Sequence, residues 1–537
     1  MTIEKWGMFE TAVSGRADGN PIWDYRIQGT FTSEDGQEQK TVEGFYDGDG
    51  IYRVRFMPSR EGRYTYQITG NFREEGAAAS EERAASAEKG AAASEELSGS
   101  FLVTAPTGEN HGPVEVVDER YLGYGDGTPY YSIGTTCYAW VHQTMEMQEQ
   151  TLRTLKESPF NKIRFCFFPK FYVYNKKEPL TAPFAAGAGE GQDPVLQELQ
   201  KNQKLFPGQP VPDYDYGFDY TKPNVEHYRR MDLRIRQLME LGIEADIILM
   251  HPYDRWGMNS MSAQCCDNYL RYVVARYSAY RNVWWSLANE YDLIHTKTEA
   301  DWERYGALIR EKDPYGHLRS IHNCGPFYDH SRDWITHCSM QRQDFYKTTE
   351  LTDEYLKQYG KPVVWDEICY EGNIQLGWGN ITAQELVRRF WEGALRGGHC
   401  GHGETYLSPD EILWWSHGNV LKGDSVPRLR FLLDILKETP GRYIKKTGGM
   451  FDEVVGIPST EDKEDIPFHL EVCGYELHYL GITQPAYREL FLPEGVPYQV
   501  DIIDTWNMTV TDGGIHSGFS RVELPGRQYM ALRIIKC

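Results

Sequence analysis

The stretch VWWSLANEYD, residues 283–292, decides how this chain reads. Its first half is apolar, with two adjacent tryptophans and a leucine, and predicts a buried strand. Its second half turns polar at Asn289, Glu290, Tyr291 and Asp292. A strand covered on both faces reads as a short, continuous apolar run. A carboxylate at its end is either used or costs stability. Seven further runs have the same character: YYSIGTTCYAW (130–140), NKIRFCFFP (161–169), EADIILMHP (244–252), LRSIHNC (318–324), WITHCSMQ (334–341), PVVWDEICYEG (362–372) and GGHCGHGETY (397–406).

Helical patterns lie between several of these runs. NVEHYRRMDLRIRQLMELG (224–242) carries apolar residues at helical spacing and stops at Gly242, and residues 262–280 and 382–398 read the same way. Eight strand–helix units within residues 109–442 predict a (β/α)8 TIM barrel. An open doubly wound sheet is the alternative, but no Gly-rich phosphate loop follows the first run.

On either side the alternation with helices disappears. Residues 1–108 read as an Ig-like β-sandwich, in which Gly50–Gly70 shows two alternating strands around a Pro-Ser-Arg-Glu-Gly turn and predicts an antiparallel pair. Within it, residues 73–98 form a low-complexity insertion in which GAAASEE occurs twice; with Leu97 as its one large apolar residue it has nothing to bury and reads as solvated. Residues 443–537 read as a C-terminal β-sandwich, giving a multidomain α/β protein overall.

A net charge of -22, with no basic cluster to offset it, argues against nucleic acid or an anionic membrane surface as partner. The start MTIEKWGMFE lacks the apolar core of a signal peptide, and no run reaches the about 18 apolar residues of a membrane span. The expectation is a cytoplasmic protein. Its ten cysteines, most in apolar runs and none in a CxxC pair, predict free thiols. The aromatic share of 13% suits either a large β-rich core or the stacking of sugar rings.

In a barrel the active site lies at the C-terminal ends of the strands. The polar residues there are Tyr138 on the first run, Arg164 on the second, His251 on the third, Asn289 and Glu290 on the fourth, His322 and Asn323 on the fifth, His337 and Gln341 on the sixth, Asp366 and Glu367 on the seventh, and His399, His402 and Glu404 on the eighth. Trp414 and Trp415 follow, and either one is a candidate sugar platform. Carboxylates on strands four and seven converge across the mouth. A retaining glycosidase needs one carboxyl as acid/base and one as nucleophile, about 5–5.5 Å apart; inversion needs about 6.5–9.5 Å. Alternation along the seventh strand points Asp366 away from the face that carries Glu367. His399, His402 and Glu404 offer metal donors, but their spacing matches no zinc pattern, so neither a metal nor another cofactor is expected.

WSLANEYD resembles the fourth-strand Asn-Glu motif of the clan A retaining glycoside hydrolases, and VVWDEICYEG resembles their seventh-strand nucleophile motif. The resemblance implies Glu290 as general acid/base and Glu367 as nucleophile. It also implies Asn289 on the sugar 2-hydroxyl, Arg164 supporting the nucleophile and His251 lining the site. EADIILMHPYDRWGM and YRVRFMPSREGRYTY are similar to a bacterial group that couples β-sandwiches to such a barrel. Two departures stand out: THCSMQ replaces a His-x-Tyr on strand six, and a long stretch replaces the single Trp after strand eight. Tyr138, Gln341, His402, Glu404 and Trp415 complete the expected carbohydrate-binding set. The reading is a hydrolase acting on an oligosaccharide or small glycoside, with a homo-oligomer left open. A non-catalytic sugar-binding barrel and a metal-dependent hydrolase are the rivals.

Overall fold

The computed structural model describes residues 1–73, 97–202, 213–342, 344, 346–441, 443–448, 453–459 and 469–537. Nearly all of the low-complexity insertion therefore lies outside the described residues. At the centre stands an eight-stranded parallel sheet: β1 (Ile133–Thr136), β2 (Lys162–Cys166), β3 (Glu244–Ile248), β4 (Val283–Ser286), β5 (Arg319–Ser320), β6 (Cys338–Gln341), β7 (Val363–Glu367) and β8 (His399–His402). The hydrogen-bonded order is β5-β4-β3-β2-β1-β8-β7-β6, which is a barrel with one open seam. All eight apolar runs supply a strand.

The seam lies between β5 and β6, and residues 321–337 that join them contain no helix. Gly325, Pro326 and Asp329 punctuate that connection, which suits turns rather than a helix. Side chains do the bridging instead of a ladder. Asn323 donates to Gln341 O and accepts from Gln341 N, each at 3.2 Å, and Arg319 N donates to Thr336 Oγ1 at 2.7 Å, beside a single main-chain bond from Thr336 N to Arg319 O at 2.9 Å.

Strand alternation sorts the two tryptophans of β4. Trp285 packs outward, its Nε1 donating to Asp313 at 3.0 Å, while Trp284 enters the barrel and donates to Glu244 at 2.9 Å. Below Trp284 an antiparallel hairpin, Val114–Val117 with Tyr121–Tyr124, plugs the lower end through Val114, Leu122 and Tyr130. Above it lies a charged layer. Lys162 Nζ bonds Asp246 at 2.7 Å and Asp366 at 2.6 Å, and Arg164 Nε lies 3.8 and 3.9 Å from the same two carboxylates. Asp366 thus points into the barrel together with Glu367, against the expected alternation. The β6–β7 register shifts between Met340 and Gln341, opposite the end of β7, and releases the strict two-residue period there.

The N-terminal residues form a five-stranded and a three-stranded sheet packed over Phe9, Phe31, Phe56 and Phe101, with Phe31 stacked on Phe56 at 4.2 Å. The expected pairing within Gly50–Gly70 does not occur. Ile51–Phe56 pairs with Phe9–Ser14, whereas Gly62–Gly70 pairs with Ile27–Ser33 and Ser98–Thr104 in the opposite sheet. The turn between them crosses from one sheet to the other. This layer is riveted to the barrel by Arg55, which bonds Asp232 at 2.6 Å; Arg276 also bonds Asp232 at 2.6 Å and Asp47 at 2.8 Å.

The C-terminal residues form a six-stranded sheet and a two-stranded one. They dock on the barrel helix Ala383–Leu395, where Trp391 stacks on Tyr479 with centroids 5.3 Å apart. None of the ten cysteines is bridged, and no helix among the described residues is long and apolar enough to cross a membrane.

Candidate active site

The chain leaves β4 and reaches Glu290 in a left-handed conformation, φ 49° and ψ 55°. That backbone costs a non-glycine residue on the order of 1–2 kcal/mol. It is fixed on both sides: Asn289 N donates to Met250 O and Tyr291 N to His322 O, each at 2.9 Å. The turn delivers the Glu290 carboxyl to the barrel mouth, 5% exposed. Burial and the negative charge of Glu367 push it up to about 7. The Tyr253 hydroxyl and Asn289 Nδ2, the latter at 3.1 Å, both donate to its Oε2.

Glu367 ends β7 in the opposite state. His322 Nε2 lies 3.2 Å from its Oε1, Arg164 Nη1 lies 3.8 Å from it, and the Tyr138 hydroxyl donates to it. These donors and charges outweigh burial and hold the carboxyl down at about 2. His322 is itself oriented by Ser339 Oγ at 3.0 Å and Gln341 Oε1 at 3.2 Å. Ser339 in turn donates to Asp366. Two buried carboxyls that feel each other's charge are therefore driven apart in protonation, which is what an acid and a nucleophile require at one pH.

Asn289 Oδ1 accepts from Arg164 at 2.8 Å, so Arg164 orients the amide and faces Glu367 at once. Trp415 joins the mouth aromatics: its ring lies 5.1 Å from Trp378 and 5.7 Å from Tyr172. Trp414, one residue earlier in the short helix Trp414–His417, faces the core and donates to Thr135 Oγ1 at 2.8 Å.

Three expected substrate ligands have other occupations. His251 is 1% exposed, with Nε2 at 3.1 Å from Phe168 O and Nδ1 at 3.2 Å from Tyr253 N. Main chain takes both ring nitrogens, so His251 shapes the loop that carries Tyr253. His402 is fully buried, paired to Thr135 Oγ1 at 3.0 Å and packed on Phe160. Glu404 accepts from Lys422 N at 2.6 Å and Gly423 N at 2.7 Å, which ties down the chain leading into helix Ser425–Lys437. Gln341 stays at the site, but as a partner of His322.

Ligand atoms of His402, Glu404 and Glu371 lie within 4.8 Å of one another, with Glu371 standing where His399 was expected. Glu371 is also engaged by Asp424 N at 2.7 Å and Ser425 N at 3.2 Å. The positive ends of these peptide groups already occupy both carboxylates and compete with any cation.

The strand-end reading passed over Tyr253 and Lys170, both of which lie in loops beyond their strands. The interleaving of Lys with aromatics in KFYVYN (170–175) was the available signal.

Residues 117–417 match the family model described as "Apiosidase-like, catalytic domain". Residues 2–71 and 465–535 match two domains of unknown function, DUF5060 and DUF5605. No curated protein matches. A crystal structure from Bacteroides vulgatus ATCC 8482, provisionally assigned as a glycoside hydrolase, is similar over 100% of both chains, with 33% identity and a TM-score of 0.84. A glycoside hydrolase family 5 structure from the same strain shares the fold at 16% identity and a TM-score of 0.56, covering 79% of this chain and 94% of its own. With its barrel under one family model and a full-length relative at 33% identity, the chain belongs to the Apiosidase-like catalytic-domain family, on the barrel fold of the clan A glycoside hydrolases.

Proposed function

We propose that the protein is a retaining glycoside hydrolase working by double displacement. The observation that carries this reading is the pair Glu290 and Glu367: both buried, one in the turn after strand four and one at the end of strand seven, the first pushed up to about 7 and the other held at about 2. At neutral pH Glu367 is the carboxylate and attacks the anomeric carbon. Glu290 holds the proton and gives it to the leaving oxygen. Once the glycosyl group is esterified to Glu367, that negative charge is gone and Glu290, now ionised, draws a proton from the water that releases the sugar. Asn289, held by Arg164, is placed to donate to a glycone hydroxyl. Trp415 and Trp378 offer apolar faces to a pyranose or furanose ring.

The test is a panel of aryl glycosides and oligosaccharides, with apiosides included because of the family description. Proton NMR follows the first-formed anomer. Retained configuration is expected. Inverted product overturns the double displacement, and sugar binding without cleavage by any member overturns the enzyme assignment.

A further inference from the structure

Lys170 lies just beyond β2 and is 3% exposed. Its ammonium sits among rings: Nζ is 3.8 Å from the centroid of Tyr138, 4.2 Å from Tyr253, 4.9 Å from Trp415 and 5.6 Å from Tyr172. Tyr138 and Tyr253 are the residues that donate to Glu367 and Glu290 respectively. The cation therefore lies in the reaction centre itself. Among the described residues no oxygen accepts a hydrogen bond from it, and although the residue is nearly buried, Nζ itself is not sealed from solvent and can be reached by a ligand. The other buried cations of the barrel interior, Lys162 and Arg164, both face carboxylates.

Aromatic faces hold a positive charge but offer no lone pairs for three N–H groups. A buried ammonium without acceptors costs stability, and packing by an apolar side chain of equal volume would not. Groups of this kind, costly and placed where substrate must lie, are completed by the ligand.

We propose that Lys170 is a substrate-contacting specificity residue whose ammonium donates to a hydroxyl of a neutral glycone bound between Tyr138 and Tyr253. The inference rests on the hydrolase reading above. A hydroxyl fits better than a ligand carboxylate, because Glu367 is anionic beside it and Glu290 becomes so in each turnover. A third carboxylate would meet like charge. Lys162 and Arg164 are already spent on Asp246 and Asp366.

The test compares wild type with Lys170→Met, which keeps length and apolar contact and removes the charge. On neutral 4-nitrophenyl glycosides kcat/KM falls on the order of 100-fold in the variant. Among monodeoxy forms of the preferred glycoside, one position abolishes the difference between the two proteins. The melting temperature of Lys170→Met rises or stays level, which a merely structural lysine would not allow. Activity within threefold of wild type, an equal loss on every deoxy substrate, or a clear fall in melting temperature overturns the inference. Preference of wild type for uronides overturns the neutral class. The two readings fail separately. If wild type cleaves no glycoside, the hydrolase assignment falls. Lys170 is then judged by thermal protection with neutral monosaccharides at high concentration: protection of wild type but not of the variant supports it, and equal or no protection of both overturns it.

Discussion

Tyr253 donates its hydroxyl hydrogen to Oε2 of Glu290, the oxygen that also accepts from Asn289. Both donors favour the carboxylate, as does the Cys324 thiol that also bonds this carboxyl. Removing the hydroxyl in Tyr253→Phe raises the Glu290 pKa further. The acid must be protonated to work, so the alkaline limb of the kcat/KM profile moves to higher pH. A limb that stays put or moves down contradicts this.

His322 and Tyr138 act on Glu367 in the same sense, holding it ionised. His322→Ala and Tyr138→Phe each raise its pKa from about 2. The nucleophile must be ionised, so here the acid limb moves up, toward neutrality. The same pH–rate measurement separates the two limbs, and each variant is expected to shift one limb predominantly.

Truncating the carboxyls gives different signatures. Glu367→Ala loses about four orders of magnitude or more with every leaving group. Glu290→Ala still reacts in the first step when the leaving group is a good one, and azide restores turnover with an azido-sugar product. Full activity in the first variant, or absence of both effects in the second, reverses the assignment.

Glu244 lies under the charged layer, its carboxyl accepting from Trp284 Nε1 and pushed up by burial to about 8. An unfolded glutamate releases its proton near 4.5. Between these values the folded chain binds the extra proton, so this residue makes stability fall as pH rises through that window. Glu244→Gln keeps the indole contact and removes the slope. Its melting temperature is expected to exceed that of wild type at pH 8 and to match it near pH 4.5.

At the junction of the N-terminal layer and the barrel, Asp232 answers both Arg55 and Arg276. Asp232→Ala leaves two buried guanidinium groups short of a partner and costs about 3–5 kcal/mol. Urea denaturation is the measurement. A loss below about 1 kcal/mol means that the network is not what holds the layers together.

The barrel was legible because a parallel strand covered on both faces writes itself as an unbroken apolar run, and each of the eight runs is long enough to be seen. Glu290 and Glu367 stood out because a charge at the end of such a run breaks the pattern. Other features depend on which partner a segment meets, and periodicity carries no record of that. Alternation in Gly50–Gly70 marked inward faces correctly in both strands, yet it said nothing of their belonging to different sheets. His251, His402 and Glu404 have the right chemistry at the right strand ends. Main chain takes both nitrogens of His251 and both oxygens of Glu404, and Thr135 takes Nδ1 of His402. Trp414 and Trp415 were indistinguishable until a single helical turn set one against the core and the other toward the mouth. Lys170 and Tyr253 reach the site from loops whose course follows tertiary contacts alone.

The open seam between β5 and β6 has a consequence of another kind. A main-chain ladder is indifferent to spelling, since almost any residue supplies the same N–H and C=O. Where Asn323 takes over that duty, the join is written in side chains. Mutation therefore drifts freely along the laddered strands so long as bulk is kept, but at this one edge the alphabet shrinks to a few letters. His322, which braces Glu367, stands on that same edge.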